Sequence, residues 1–273
     1  MRLPADPALR YAQVKALNEK ADGAAPIPLN SVAWVIDRYK ESDEYLSLKK
    51  GSLKYYNRFL NDLEKTFGPL PFKEAMTRRV AVDWVRSFKK SVRRQAGAVL
   101  VNVYNAALYH NCATINYAHK LNIRGGSPRE TYYTDEQCRD WLAACGDDAM
   151  ALTFTILRYA VQRPGDVLGM RWAQYDGDTI KLRQEKTGKL VEVPCHAALK
   201  SSLDAARGNA KTVFIVSNGY RRLSYSRFQV RFRNIADAAG LPKHQARDLR
   251  RTAAVMMSEA GATVQQISAI AGW

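Results

Sequence analysis

The residues best suited to chemistry in this sequence are cations. Arg163 follows an apolar stretch, residues 149–161, and precedes Pro164, Gly165 and Asp166. Proline and glycine end one element and aim the arginine in a fixed direction, and Asp166 is close enough in sequence to orient it. An arginine held in this way can bind a phosphate or a carboxylate through two hydrogen bonds. The same residues can form a structural ion pair between two helices, and this stretch alone favours neither interpretation.

Further cations follow Arg163 in the chain. Lys186 lies at the tip of a predicted β-hairpin with strands 179–183 and 189–193, although hairpin tips also carry lysines for solubility. Arg247 and Arg250 lie three residues apart in a segment, 244–254, that predicts a helix, so they share a face. Two arginines on one face repel each other unless an anion lies between them.

A site built from fixed cations suits phosphate chemistry. The sequence has no clustered carboxylates for Mg²⁺ and no metalloprotease, phosphate-loop or serine-hydrolase motif, so we expect no metal and no cofactor. Fixed guanidinium groups can stabilise the charge of a pentacoordinate phosphorane at a DNA phosphodiester. A lysine can act as the general acid for a leaving 5′ oxygen, and the nucleophile would be a hydroxyl group.

Composition points to a polyanionic partner. The 273 residues carry a net charge of +16, and 47% of them are hydrophobic, which predicts a globular protein that binds nucleic acid or, second, an anionic membrane surface. The N-terminus has no signal peptide. The stretch 95–118 has no charged residue, but its asparagines predict a buried helix and not a membrane span. The four cysteines lack zinc-site spacing and fit reduced thiols of a cytoplasmic protein.

The periodicity of apolar residues predicts two domains. Residues 1–28 form a lead or linker, 29–120 a four-helix domain, 121–131 a linker and 132–273 a second domain. The helices of the first domain are predicted to begin at Asn30 or Ser31, Ser52, Thr77 and Gln95. In the second domain, helices are predicted to begin at Thr134 (with a capping box), Ala149, His196, Ser226, His244 and Thr263.

Two basic clusters lie at helix starts of the first domain. A run of charge is usually a solvated face. Two runs of one sign, both at helix starts, are better explained by contacts with DNA phosphates. The clusters comprise Lys49, Lys50 and Lys54, and Arg86, Lys89, Lys90, Arg93 and Arg94.

From residue 29 to 273, the sequence resembles the tyrosine recombinases of the phage-integrase type. The motifs that carry the resemblance are Gln162–Trp172 around the first arginine, Lys186–Lys189 in the hairpin, Asp248–Ala253 around the second arginine, and Ala271–Trp273. Each motif is weak alone, but their order and spacing are specific. The resemblance implies a mainly α fold with a small β-sheet. A SAM-like four-helix core-binding domain and an α+β catalytic domain would form a C-shaped clamp on duplex DNA.

The resemblance also implies roles for single residues. Arg163, Lys186 and Arg250 match catalytic positions, Trp273 takes a position that is His or Trp in the family, and Asp166 would orient Arg163. The family joins DNA without metal through a 3′-phosphotyrosine, acts on recombination sites and assembles as a tetramer on DNA. We therefore expect an integrase, cytoplasmic and nucleoid-associated, encoded by a bacterium or phage.

Two departures from the family pattern bear on activity. Arg247 stands where the family usually has a histidine, and it stays protonated and cannot act as a base. His244, one turn earlier, could take that role or contact DNA if the backbone bends there. The nucleophilic tyrosine should follow Trp273, where this sequence ends. We therefore expect a truncated chain that binds DNA as a monomer in solution and does not cleave it.

Two other functions remain open. The chain could be a non-catalytic DNA-binding protein on a recombinase scaffold. A basic RNA- or membrane-binding helical protein ranks lower, because the basic residues are clustered in folded segments and no RNA-binding module is present.

Overall fold

The computed structural model describes residues 27–119, 121 and 130–273. The chain divides into two compact units, Met1–Pro128 and Arg129–Trp273, and each is described by itself. Most of the predicted lead, 1–28, and most of the predicted linker, 121–131, lie outside the described residues.

The described part of the first unit is helical. Ser31 accepts a hydrogen bond from the Trp34 N–H, and Thr77 accepts one from the Val80 N–H, which confirms both as helix caps. Fully buried Val35, Leu63 and Leu100 lie in its core. The elements are α1 (Val32–Lys40), α2 (Asp43–Leu46), α3 (Lys50–Phe67), α4 (Phe72–Ala75), α5 (Arg78–Ser87), a 3-10 turn (Lys90–Val92) and α6 (Arg93–Tyr109).

Three predicted helix bounds in this unit are wrong. Helix α3 begins at Lys50 and not at Ser52, because the Lys49 carbonyl already accepts the Leu53 N–H at 3.0 Å. The charge-free stretch predicted a helix from about Gln95 to His119, but α6 spans Arg93–Tyr109. It ends early because Asn111 takes a left-handed conformation with φ 57°. The short helices α2 and α4 were not predicted, since four residues are too few to show a helical period.

The second unit combines helices with one small sheet. Its elements are α7 (Asp135–Ala143), α8 (Asp148–Tyr159), α9 (Pro164–Leu168), a 3-10 turn (Trp172–Gln174), β1 (Thr179–Arg183), β2 (Leu190–Pro194), α10 (Ala197–Arg207), α11 (Tyr225–Ala238), α12 (Asp248–Glu259) and α13 (Val264–Ala271). The strands are antiparallel, with Thr179 opposite Pro194. The predicted hairpin and the Thr134 capping box are confirmed, with β2 shifted by one residue. Together the described residues are mainly α-helical with a two-stranded sheet, as predicted.

Helix α8 is the centre of this unit. It packs against α10, α11 and α12, and its Phe154 stacks on Trp141 with ring centroids 4.3 Å apart. After α8 the chain turns at Val161, which is fully buried with φ 53°, an unusual conformation for a β-branched residue. Val161 packs against Ala253 of α12 and Ala271 of α13. The turn therefore places Arg163 beside the helix that carries Arg250.

Three further helix starts differ from prediction. Helix α8 begins at Asp148 with Asp147 as its cap, and not at Ala149. Helix α11 begins at Tyr225 with Ser224 as its cap, not Ser226. Helix α12 begins at Asp248 and not at His244, because the Asp248 carboxylate accepts the Gln245 N–H at 2.8 Å and holds the preceding residues in a turn. Among the described residues, no helix is long and apolar enough to cross a membrane.

Candidate active site

Arg163 has two partners. It is the N-cap residue of α9, and its Nη1 donates to Gln184 Oε1 at 2.8 Å. The same nitrogen lies 3.8 Å from Asp166 Oδ2. The Arg163 side chain is 28% exposed and that of Asp166 only 3%. Gln184 therefore holds Arg163 at hydrogen-bond distance, and Asp166 supplies a longer electrostatic contact.

Asp166 connects the arginine segment to the hairpin. Its Oδ1 accepts the backbone N–H of Glu185 at 2.8 Å, while its Oδ2 accepts no hydrogen bond from the described residues. Because Glu185 immediately precedes Lys186, this bond fixes the base of the turn that carries the exposed lysine.

A pair of buried glutamines lies behind Arg163. Gln162 and Gln184 are both fully buried, and Gln184 Nε2 donates to Gln162 Oε1 at 2.8 Å and to the Ala271 carbonyl at 2.7 Å. Gln162 Nε2 donates to the Ile270 carbonyl at 2.7 Å. This glutamine pair links Arg163 to the end of α13. No role was predicted for either glutamine from the sequence.

Arg250, on α12, also hydrogen-bonds the end of α13. Its Nη2 donates to the Ala271 carbonyl at 2.8 Å, while its Nη1 is buried without a hydrogen-bond partner among the described residues. Burial lowers the pKa of Arg250 to about 10, and the nearby charge of Arg163 acts in the same direction. The guanidinium group therefore remains charged at neutral pH, with one N–H edge that no described group satisfies.

Trp273 covers one side of Arg250. The guanidinium carbon of Arg250 lies 5.4 Å from the centre of the Trp273 ring, a distance at which cation and ring attract each other. The ring is 58% exposed. Lys189 Nζ donates to the Trp273 carbonyl oxygen at 2.6 Å, which ties the end of the hairpin to the same segment.

Arg247 and His244 lie to one side of this arrangement. Arg247 is exposed and is the N-cap residue of α12, not a member of the helix. The two residues line a hollow together with Pro164. The His244 ring packs on Tyr133 at 4.6 Å, and its buried Nδ1 has no hydrogen-bond partner among the described residues.

The predicted DNA-binding cations of the first unit are almost all exposed. The exception is Arg93, which donates from Nε to the Phe88 carbonyl at 2.8 Å and from Nη2 to the Arg86 carbonyl at 2.7 Å. Arg93 therefore hydrogen-bonds two carbonyl groups at the end of α5 and has a structural role. The exposed members of the two clusters are Lys49, Lys50, Lys54, Arg86, Lys89, Lys90 and Arg94.

Three arginines missed by the sequence analysis lie next to the site. Arg221, Arg222 and Arg227 are exposed and surround a hollow of about 730 Å³, called here the arginine hollow, which Gly165 and Glu185 also line. Within the described part of the chain these arginines form no salt bridge. Arg221 and Arg222 are adjacent and lie just before a capped helix, which is the pattern that predicts phosphate contacts in the first unit.

Comparison with known proteins identifies the class of protein to which this fold belongs. Residues 133–273 match the sequence model of the Phage integrase family. The chain belongs to the phage integrase family, the tyrosine recombinases. A search of curated proteins finds no match.

Solved integrase structures share the fold. A lambda integrase dimer bound to a COC′ core site matches with a TM-score of 0.80 and 17% identity, covering 89% of this chain and 95% of the other. A lambda integrase tetramer bound to a Holliday junction matches with a TM-score of 0.78 and 18% identity, covering 100% and 89%. The Tn1549 transposon integrase in complex with circular intermediate DNA matches at 0.73 and 16%, covering 88% and 91%.

Proposed function

We propose that this chain is the DNA-binding and phosphate-activating part of a site-specific recombinase. The observation that carries the proposal is the convergence of two arginines from separate elements. Arg163 lies near enough to Arg250 to lower its pKa. Arg163 pairs with Asp166, whereas Arg250 donates to the neutral Ala271 carbonyl, so the two arginines carry an excess of positive charge that a phosphodiester would neutralise.

The proposed reaction is a transesterification. A tyrosine hydroxyl releases its proton to solvent as its oxygen attacks the scissile phosphorus, the P–O5′ bond breaks, and the 5′ oxygen leaves as a hydroxyl because it accepts a proton. Arg163 and Arg250 bind the non-bridging oxygens, whose charge increases in the transition state. Lys186 delivers the proton to the 5′ oxygen. The guanidinium groups supply the positive charge, so the proposed mechanism requires no metal.

The proposed nucleophile is not one of the 14 tyrosines of this sequence. The family places it after the position that Trp273 occupies. We propose that a polypeptide of these 273 residues binds duplex DNA as a monomer without forming a phosphotyrosine. Incubation with a nicked duplex that traps the covalent intermediate tests this, and an adduct stable to denaturant would contradict it.

The DNA-binding surface is proposed to include cations of both units. The exposed lysines and arginines of the first unit and the arginine hollow of the second would contact backbone phosphates. Phosphate contacts make binding dependent on salt through counterion release. A duplex affinity that stays constant between low and physiological salt would contradict this assignment.

The decisive experiment compares two variants of the site with one control. Arg163→Ala and Arg250→Ala should weaken duplex binding and each reduce the slope of log affinity against log salt by about 1. Arg139→Ala removes the same charge from the exposed face of α7 and should change the duplex affinity and the salt slope much less. Circular dichroism checks the fold. If Arg163→Ala or Arg250→Ala unfolds the protein instead, the arginine is structural.

A non-catalytic DNA-binding protein is the second candidate function. Arg247 favours it, because a permanently charged arginine stands where the family usually has a histidine. The two candidates differ in one outcome. Addition of a tyrosine-bearing peptide that completes the site would yield an adduct only if the cations are catalytically competent.

A further inference from the structure

We propose that Gln184 is a positioning residue that sets Arg163 and Arg250 as one phosphate-binding unit. The inference rests on the proposed function, because the unit is meaningful only if the two arginines bind one phosphate. It concerns an uncharged side chain that neither contacts DNA in the proposal nor carries a charge of its own.

The hydrogen-bond capacity of the Gln184 amide is fully used. Its Oε1 accepts from Arg163 Nη1 and from Thr187 Oγ1, both at 2.8 Å. Its Nε2 donates to Gln162 Oε1 at 2.8 Å and to the Ala271 carbonyl at 2.7 Å. A glutamine amide has two donors and two acceptor sites, so no capacity remains.

The orientation of this amide is determined by its partners. Arg163 can only donate and the Ala271 carbonyl can only accept, so a flipped amide would oppose donor to donor and acceptor to acceptor. Because the group is also fully buried, a lost bond would leave an unsatisfied polar atom away from water. The position of Arg163 is therefore specified by a group that has one allowed orientation.

The Ala271 carbonyl extends this control to Arg250. It accepts from Gln184 Nε2 at 2.7 Å and from Arg250 Nη2 at 2.8 Å. A continuous path thus runs from Arg163 through Gln184 and Ala271 to Arg250, although the two arginines come from segments that are distant in sequence. Displacement of Gln184 would move both guanidinium groups relative to each other.

Gly272 packs closely against the Gln184 amide. It has φ +67°, and a Cβ built there would lie 2.6 Å from Gln184 Oε1 and 2.7 Å from Nε2. The approach is possible only because glycine has no side chain. Gly272 thus offers a second perturbation, which displaces the Gln184 amide without removing it.

Gln184 also fixes the turn that carries Lys186. Its backbone N–H donates to the Lys189 carbonyl at 2.8 Å, and its carbonyl accepts the Gly188 N–H at 2.9 Å. Those bonds belong to the backbone and survive a change of side chain. Substitution of Gln184 therefore removes its side-chain bonds, including the one from Thr187 Oγ1, and leaves these two backbone bonds of the hairpin in place.

A double-mutant cycle on duplex binding tests the proposal. Affinities of the wild type, Gln184→Ala, Arg163→Ala and the double variant are measured by fluorescence anisotropy with a labelled duplex of mixed sequence. We expect Gln184→Ala to weaken binding about 3-fold or more, and to have a clearly smaller effect once Arg163 is absent, because contacting residues couple and only the link through Ala271 to Arg250 then remains. A merely structural glutamine would give losses that multiply independently, and that result would overturn the proposal.

Two additional variants distinguish a positioning role of Gln184 from a general loss of protein stability. Gln174→Ala is the matched control, since Gln174 bonds the Arg171 N–H at 2.8 Å by a 3-10 turn and should leave affinity unchanged. Gly272→Ala should weaken binding in the wild type but add little to Gln184→Ala, where the collision is relieved. If Arg163→Ala does not weaken binding, the proposed function fails. If Arg163→Ala weakens binding and Gln184→Ala does not, only the positioning role fails.

Discussion

Trp273 lies over Arg250, with the guanidinium carbon 5.4 Å from the ring centre. The contact shields one face of a cation whose buried Nη1 has no hydrogen-bond partner among the described residues. The ring of Trp273 itself is mostly exposed, so its contribution to the core is small. The contact instead restricts where the guanidinium group of Arg250 can point.

Replacement of Trp273 should therefore affect DNA binding more than stability. A cation–π contact contributes about 0.5–2 kcal/mol, so Trp273→Ala should weaken duplex binding several-fold, while Trp273→Phe should retain most of the affinity. Val264→Ala, at another exposed apolar residue of the same segment, is the control. Equal losses for the Phe and Ala variants would show that the ring face does not act on Arg250.

Small oxyanions should stabilise the protein through the arginine pair. Sulfate or phosphate can occupy the position proposed for the scissile phosphate and reduce the repulsion between Arg163 and Arg250. The melting temperature should rise with sulfate more in the wild type than in Arg250→Gln. Sulfate also stabilises proteins generally, so the difference between the two proteins is the informative quantity. An equal rise in both would argue against an anion site.

The pKa of Arg250 predicts how binding depends on pH. Since that pKa is lowered to about 10, the cation persists at neutral pH and duplex affinity should fall only as pH approaches and passes 10. Stability changes in the opposite sense. The protonated guanidinium opposes folding below its folded pKa, and this penalty is relieved as pH rises from about 10 towards the higher pKa of the unfolded state. Anisotropy and thermal melts across this range measure both trends.

The sequence was informative where structure depends on near neighbours. The caps at Ser31, Thr77 and Thr134 bond residues three positions ahead, so their patterns could be recognised locally. The hairpin was also predictable, because alternating apolar residues flank a short turn. The spatial proximity of Arg163, the hairpin and Arg250 rested instead on the order of motifs, since local patterns contain no information about it. Their catalytic roles remain predictions.

The sequence failed where the decisive partner is distant and uncharged. Gln184 bonds Gln162 and Ala271, residues 22 and 87 positions away, and neither contact leaves a periodic or charge signal. The predicted start of α12 was wrong for another reason. The helix was predicted from His244, but the Asp248 carboxylate accepts the Gln245 N–H, and packing of His244 on Tyr133 holds the preceding turn.

The arginine hollow should contribute to DNA affinity without base specificity. Arg221, Arg222 and Arg227 surround it without an ion pair in the described part of the chain. Arg222→Ala or Arg227→Ala should weaken binding to duplexes of different sequence by similar factors and reduce the salt slope by about 1. Arg139→Ala again serves as the charge-matched control. Loss of affinity for only some sequences would indicate that these residues read bases.

Substitutions of Arg93 and Lys90 should distinguish a structural role from a DNA-binding role within one basic cluster. Arg93 donates to the carbonyls of Phe88 and Arg86, and each lost hydrogen bond costs about 0.5–1.5 kcal/mol. Arg93→Ala should therefore lower the free energy of unfolding by about 1–3 kcal/mol. Lys90→Ala, at an exposed residue of the 3-10 turn, should leave unfolding unchanged and weaken duplex binding. Urea denaturation and anisotropy on both variants decide the matter, and a stable Arg93→Ala variant would show that those two carbonyls do not depend on its guanidinium group.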